Sequence, residues 1–302
     1  MNHSIKVYIL CSCCSFYQLS LVPLLTFSST MLHSHFETEY KLLSKLGQGG
    51  FGDVYKCSHR SSGKLYAAKI IDNVTRFSYC SKSDKYLPDE ILLWRDLYHD
   101  TIIQYVDYFC SNGTWIIVME YLSGYEDLFE YMRRKKRSFD EIRAASIISQ
   151  VITGVKYLKR KGIDHRDLKL ENVLYNNKTK TIKIIDFGCA GRLSSRPYRK
   201  LQGTEQYYPP EWFERREFYP VHGIVWSIGI MTYIILNSKS PFPSLSREKY
   251  DSKMYKKLKW RNENISSLGK KFIKKCLRCK PQERSSFDDL LEARWLRLST
   301  FV

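Results

Sequence analysis

The sequence predicts an α+β protein with two lobes, a small β-rich lobe that contains one helix and a larger, mainly helical lobe. Short β-prone segments separated by Gly-rich or Ser-Gly turns occupy residues 40–71 and 102–121. Helical patterns dominate after residue 122. The 302 residues, 43% of them hydrophobic, suffice for a large core. We therefore expect an extension over residues 1–35, a small lobe over 36–121, a large lobe over 122–297 and a tail over 298–302.

The extension contains an uncharged apolar segment over residues 7–27, which Pro23 interrupts. It has three interpretations: a secretory signal, a membrane anchor acylated at Cys13 and Cys14, or a segment that is left out because translation starts at Met31. We expect a dispensable extension and a cytoplasmic protein that also reaches the nucleus. Secretion or membrane association through residues 1–30 is the alternative.

Charge and cysteine content restrict the class of partner and site. The formal net charge of +18 favours nucleotides, nucleic acids or acidic surfaces, or reflects a basic solvated face. The basic run at 133–137 is interpreted as a solvated helix end, so we expect no nucleic acid partner. Cys276 and Cys279 form a C-x-x-C pair with no second pair at zinc-site spacing, which favours reduced thiols.

The small lobe is predicted as strands around one helix. The first three strands are YKLLSKL, DVYKCSH and KLYAAKII, and the last two are IIQYVDYF and TWIIVMEY, joined by a turn at 111–113. The helix PDEILLWRDLYH lies between the two groups, and its apolar positions are Ile91, Trp94, Leu97 and Tyr98.

The large lobe begins with a long helix. Ser138 and Glu141 have capping-box spacing and predict its start, and Gly162 predicts its end. The segment VWSIGIMTYIIL is apolar on nearly every face and predicts a central buried helix. SSLGKKFIKKCL and FDDLLEARWL predict the closing helices.

A glycine pattern, G-x-G-x-x-G-x-V, starts at Gly47. On its own it is a weak signal, because turns and dinucleotide-binding loops use the same glycines. Here a strand follows the glycines, so we expect the tip of a hairpin, where backbone N–H groups can approach phosphates. The pattern consists of Gly47, Gly49, Gly52 and Val54.

A lone lysine, Lys69, lies in the apolar strand YAAKII. A buried ammonium group requires anions, which Glu90 and nucleotide phosphates can supply. The alternative is a lysine at a strand edge whose head reaches solvent.

The ordered motifs resemble the signature of protein kinases. After the glycines come A-x-K, a helix Glu, H-R-D-L-K-x-x-N in IDHRDLKLENVL, and D-F-G in IIDFGCA. The resemblance covers residues 40–296 and implies the bilobal protein kinase fold. The H-R-D-x-K spacing is typical of Ser/Thr kinases, in which a Thr such as Thr204 lies beside the catalytic Asp.

The resemblance implies a role for each matching residue. Lys69, held by Glu90, would contact the α- and β-phosphates of ATP. Asp167 would accept the substrate's proton, and Lys169 would reach the γ-phosphate. Asn172 and Asp186 would hold Mg²⁺. The implied catalytic set is Asp167, Lys169, Lys69, Glu90 and Thr204.

The same resemblance implies an adenine site. Val54, Ala67 and Leu174 would enclose the base, although each taken alone is better explained as ordinary core. The full implied nucleotide set is Leu46, Gly47, Gly49, Gly52, Val54, Ala67, Lys69, Met119, Glu120, Leu122 and Leu174.

Within the kinases, the chain resembles the Pim family. The shared features are the P-P-E-W ending of GTEQYYPPEWF, Ile224 where most kinases have an Asp, a hinge that is one residue longer than usual, and Arg284 in position to pair with Glu211. Two differences concern the hinge and the catalytic loop: Leu122 replaces the Pro of Pim hinges, and Leu170 replaces an Asp.

Substrate preference and activation follow from the same comparison. Pim kinases prefer basic sites, and the candidate acids here are Glu126, Asp127, Glu130 and Glu171. Because Leu170 removes one charge, we expect a weaker preference for basic substrates.

The segment RPYRKLQGT contains no acid, so Arg166 lacks an obvious anion. We hypothesise that phosphorylation of Ser194, Ser195 or Tyr198 supplies one.

The sequence therefore predicts an ATP-dependent Ser/Thr protein kinase that uses ATP and Mg²⁺. We expect a monomer that acts on proteins with Ser or Thr near basic residues. The alternative is a kinase-fold scaffold with little or no turnover, which Ile224 and the altered activation segment motivate.

Overall fold

The computed structural model describes residues 35–50, 52–242, 255 and 258–301. The predicted extension, with its apolar segment and its cysteines, lies outside the described residues except for His35. The described part forms an α+β fold with two lobes, as predicted.

The small lobe is built on a five-stranded antiparallel sheet in the order β1-β2-β3-β7-β6. All five predicted strands are confirmed. A short first helix packs its one buried residue, Phe36, against aromatic side chains on the back of this sheet. The elements are α1 (Phe36–Glu39), β1 (Tyr40–Gly49), β2 (Gly52–His59), β3 (Leu65–Ile71), β6 (Tyr105–Ser111) and β7 (Thr114–Glu120).

Between β3 and the helix of the small lobe, the chain forms a hairpin that the sequence did not predict. Its strands are β4 (Phe77–Cys80) and β5 (Lys85–Pro88), and the helix α2 spans Asp89–Trp94. The prediction that this helix extends to residue 99 was wrong. The chain turns after Trp94, whose indole N–H donates to the Ile103 carbonyl at 2.7 Å. Tyr98, expected on the apolar face, is 70% exposed.

The large lobe is mainly helical and carries short strands at the cleft. Its helices are α3 (Leu128–Lys135), α4 (Glu141–Arg160), α5 (Pro210–Arg215), α6 (Pro220–Asn237), α7 (Ser267–Cys276) and α8 (Phe287–Leu291), followed by a 3-10 helix at Arg294–Phe301. Its strands are β8 (Glu126–Asp127), β9 (Ile163–Asp164), β10 (Val173–Asn176), β11 (Thr181–Ile184) and β12 (Gly191–Arg192).

The start of α4 differs from the predicted capping box. The N-cap is Asp140, whose carboxylate accepts the Arg143 N–H at 2.9 Å. Asp satisfies one of the unpaired N–H groups of the first turn, so Ser138 is not needed there. Glu141 instead accepts hydrogen bonds from Ser266 and from the Trp295 indole, and so ties α4 to the end of the lobe.

The helix α6 is the centre of the large lobe. Among the described residues it is the one helix long and apolar enough to cross a membrane, but 78% of it is buried inside the protein. Its composition therefore reflects a core position, as predicted. The Ser227 hydroxyl of α6 donates to the Tyr207 carbonyl at 3.3 Å, so α6 also contacts the segment after Thr204.

Candidate active site

The register of the small sheet places four predicted site residues on one face. Val54 pairs with Lys69 across β2 and β3, and Ala67 pairs with Met119 across β3 and β7. Because alternate residues of a strand share a face, these four side chains point the same way. Ala67 and Met119 are buried, and Val54 and Leu122 pack against the same core.

The glycine-rich segment is the tip of the β1–β2 hairpin, as predicted, and Gly49 pairs with Gly52. At Gly52 glycine is required, because φ is +146° and a Cβ would lie 2.0 Å from the Ile70 carbonyl oxygen. At Gly47 a Cβ would meet nothing within 4 Å. Packing therefore does not explain Gly47, which leaves the backbone there accessible to a ligand. Leu46 beside it is half-exposed.

Lys69 links the two lobes through two carboxylates. Its Nζ lies 2.8 Å from Glu90 Oε1 on α2 and 2.8 Å from Asp186 Oδ1 on the large lobe. Lys69 is 4% exposed, so the solvent-facing alternative is wrong. Burial lowers its pKa, but the two carboxylates outweigh burial and raise the pKa above the ordinary value. The ammonium group is therefore held charged.

Asp167 and Lys169 of the catalytic loop form one hydrogen-bonded cluster with Thr204 of the activation segment. The Thr204 hydroxyl donates to Asp167 Oδ1 at 2.8 Å. Lys169 Nζ lies 2.8 Å from Asp167 Oδ2 and donates to the Thr204 hydroxyl at 2.8 Å. This arrangement fixes the Asp167 carboxylate and places an ammonium group beside it.

Asn172 lies against this cluster, and the Asp186 carboxylate lies against Lys69. The Asn172 amide nitrogen donates to the Asp167 carbonyl at 2.8 Å and to its carboxylate at 3.0 Å, so the amide oxygen is the atom that can act as a ligand. Burial raises the pKa of Asp186, but Lys69 outweighs burial and lowers it, so the carboxylate stays ionised. Oxygen donors of this kind suit Mg²⁺, which usually binds one or two carboxylates together with substrate phosphates.

Asn172 and Asp186 fit a magnesium site that a bound nucleotide would complete. Nowhere in the described ranges do three or more His, Cys, Asp or Glu side chains form a group that could hold a metal ion. One carboxylate and one amide oxygen would need nucleotide phosphates to complete a magnesium shell.

The hinge residues connect the two lobes beside the sheet face that Val54, Ala67 and Met119 share. The Glu120 N–H donates to the Gln104 carbonyl at 3.0 Å, and the Glu120 carboxylate lies 2.7 Å from Lys183 Nζ on β11. Leu122 is half-buried, and Leu174 on β10 is half-buried below the cleft. Of the predicted nucleotide residues, Val54, Ala67, Lys69 and Met119 thus share one face of the sheet, and the glycines lie at the tip of the β1–β2 hairpin.

Aromatic rings support the Asp186 loop from behind. Phe187 stacks on Trp94 of α2 at 5.5 Å between centroids, and the His165 ring lies 5.2 Å from Phe187. His165 Nε2 lies 2.9 Å from the Ile185 carbonyl oxygen. These contacts couple α2, which carries Glu90, to the loop that carries Asp186.

Arg76 also holds this loop, and the sequence analysis missed it. Its guanidinium donates to the Gly188 carbonyl at 2.6 Å and to the Ala190 carbonyl at 3.0 Å. The only sequence signal is a single Arg shortly before the helix, which is uninformative without the fold. Arg76 therefore ties the segment before β4 to the residues that follow Asp186.

We expect Arg76→Ala to lower kcat about 5- to 30-fold, because two charge-assisted hydrogen bonds that position the Asp186 loop are lost. Steady-state kinetics with a peptide substrate measure this change. Arg60→Ala is the matched control, since Arg60 also donates to a backbone carbonyl, that of Glu37, but far from the Asp186 loop. Equal activity of the two variants would show that Arg76 does not position the loop.

Comparison with known proteins agrees with this geometry. The protein kinase domain family matches residues 40–296. The chain is 32% identical to serine/threonine-protein kinase pim-2 of Danio rerio, over 88% of the chain and 87% of that protein. It is 34% identical to calcium-dependent protein kinase 4 of Plasmodium berghei over 88% of the chain, but spans 51% of that protein. It is 30% identical to death-associated protein kinase 2 of Homo sapiens, over 86% of the chain and 72% of that protein.

The motif order, the assembled Lys69–Glu90 and Lys69–Asp186 pairs and the family match lead to the same assignment. The chain belongs to the protein kinase family and is a serine/threonine kinase whose similarity includes the Pim enzymes.

Proposed function

We propose that this kinase transfers the γ-phosphate of Mg-ATP to Ser and Thr hydroxyls of proteins, with a modest preference for basic sequences. The observation that carries the proposal is Lys69 paired at once with Glu90 and Asp186. This contact brings the small lobe, α2 and the Asp186 loop into one arrangement. A scaffold without turnover has no need for such an arrangement.

The residues of the chain then have separate tasks. Lys69 would orient the α- and β-phosphates, and Mg²⁺ held by Asn172 and Asp186 would neutralise phosphate charge. Asp167 would orient the substrate hydroxyl and accept its proton, which typically contributes about 10²- to 10⁴-fold in rate. Thr204 and Lys169 hold the Asp167 carboxylate in place for that step.

The test is the transfer of labelled γ-phosphate to an Arg-rich Ser peptide and to an acidic Ser peptide, with phosphatase-treated full chain. Incorporation that favours the basic peptide supports the proposal. Nucleotide binding without any incorporation would favour the scaffold alternative.

The candidate substrate acids are largely occupied within the chain. Glu126 lies 2.5 Å from Arg134 Nη2, and Glu130 lies 2.6 Å from Arg133 Nη2. Asp127 caps α3 by accepting the Glu130 N–H at 2.8 Å. An incoming substrate Arg would have to compete with these partners, so the preference for basic peptides should be modest.

We expect Arg134→Ala to raise the preference for an Arg-rich over a neutral peptide about 2- to 5-fold, because Glu126 loses its internal partner and becomes available to substrate. The ratio of kcat/KM values for the two peptides measures this preference. Arg143→Ala is the matched control, since Arg143 pairs with Asp140 at the start of α4. An unchanged ratio in Arg134→Ala would remove Glu126 from the substrate site.

A further inference from the structure

Asp164 is a buried acid outside every kinase motif of the chain. It ends the short strand β9, directly before His165, and is 3% exposed. Burying a carboxylate is costly unless it makes hydrogen bonds, and burial raises the pKa of Asp164. A residue of this type in the catalytic loop therefore requires an explanation.

The carboxylate of Asp164 supports the backbone of the catalytic loop. Its Oδ1 accepts the Arg166 N–H at 3.1 Å. Arg166 has φ of +63°, in the left-handed region that non-glycine residues rarely adopt. The hydrogen bond thus stabilises an unfavourable conformation at the residue immediately before Asp167.

Tyr198 of the activation segment packs beside the catalytic loop. The Tyr198 hydroxyl donates to the Arg192 carbonyl at 3.3 Å, and Tyr198 lines the same cavity as Asp164. The Tyr198 ring also lies 4.5 Å from the Arg166 guanidinium carbon. Arg166, whose N–H Asp164 accepts, is therefore also in contact with the activation segment.

A cavity of about 270 Å³ lies between the catalytic loop, the activation segment and α6. Asp164, Arg166, Tyr198 and Ile224 all line it. Ile224 occupies the α6 position at which most kinases have an acid. The structure thus shows an acid at the same cavity that comes from the catalytic loop rather than from α6.

We infer that Asp164 is a positioning residue for phosphate transfer, which fixes the Arg166 backbone and with it the orientation of Asp167. The inference rests on the proposed transfer activity. It explains how the loop is held in a chain with Ile224 and with no acid in residues 196–204.

The test compares Asp164→Leu, Asp164→Asn and the unchanged full chain after phosphatase treatment. Asp164→Leu should lower kcat about 10- to 100-fold, since a hydrogen bond from the loop backbone is lost, while the KM for ATP stays within about 2-fold. Asp164→Asn should recover most of the activity, because an amide oxygen can still accept the Arg166 N–H. Asp140→Asn, a helix cap in α4, is the control for carboxylate loss.

Nucleotide titration separates positioning from folding. We expect each variant to bind one nucleotide per chain, so that kcat per binding site reports the chemistry alone. Unchanged kcat in Asp164→Leu, or a loss that matches a loss of binding sites, would overturn the inference. If Asp164→Asn is as impaired as Asp164→Leu, the hydrogen-bond role is also wrong. Inactivity of the unchanged chain would contradict the proposed transfer activity instead.

Discussion

Asp186→Asn is expected to lower phosphate transfer about 10³-fold while the protein stays folded. The substitution keeps the size of the side chain and removes its charge. Lys69 then loses one of its two anionic partners at 2.8 Å, and the carboxylate that we propose to hold Mg²⁺ becomes a neutral amide. Both losses act on the phosphates, whose charge the site must stabilise during transfer.

Magnesium titrations make this prediction specific. The unchanged chain should bind a nucleotide more tightly as Mg²⁺ is added, and Asp186→Asn should lose most of that gain while it keeps its magnesium-free affinity. Asp96→Asn is the control, because Asp96 is exposed and its cationic neighbours lie 3.8 Å away. Transfer at the normal rate in Asp186→Asn would show that the phosphates are held elsewhere.

The site was predictable because its residues come in ordered motifs. Lys69, Glu90 and Asp186 lie far apart in the sequence, but each sits in a recognisable local pattern, and the fold brings them into contact. The central helix α6 was also predictable, because a segment that is apolar on all faces can only be satisfied in the interior.

Residues whose role depends on long-range contacts were not predictable. Arg76 looks like an ordinary charged residue in the sequence, and only the fold places it against the Asp186 loop. Asp164 accepts a backbone N–H only two residues away, but the burial that makes this bond important also depends on the fold. The pairing of Glu126 with Arg134 likewise joins residues eight positions apart across the start of α3. A local sequence motif does not show which of several charged side chains will pair in the folded protein.

Arg284→Met is expected to destabilise the protein by about 3–5 kcal/mol, because Glu211 would remain as a buried charge without its partner. Two Arg284 nitrogens bond the Glu211 carboxylate at 2.8 and 2.6 Å, and the side chains are 0% and 2% exposed. At roughly 2–4 °C per kcal/mol, the melting temperature should fall by about 10 °C. Urea unfolding measures the change, with exposed Arg278→Met as a control that stays within about 0.5 kcal/mol.

A double variant, Glu211→Leu with Arg284→Met, tests whether the orphaned charge causes this loss. Replacing a whole buried pair by apolar side chains is often neutral or stabilising. Arg284 also donates to the backbone carbonyls of Arg278 and His222 at 2.9 and 3.0 Å, and the double variant loses both contacts. We therefore expect the double variant to recover about half of the lost stability. A double variant as unstable as Arg284→Met alone would assign the loss to the carbonyl contacts and packing rather than to Glu211.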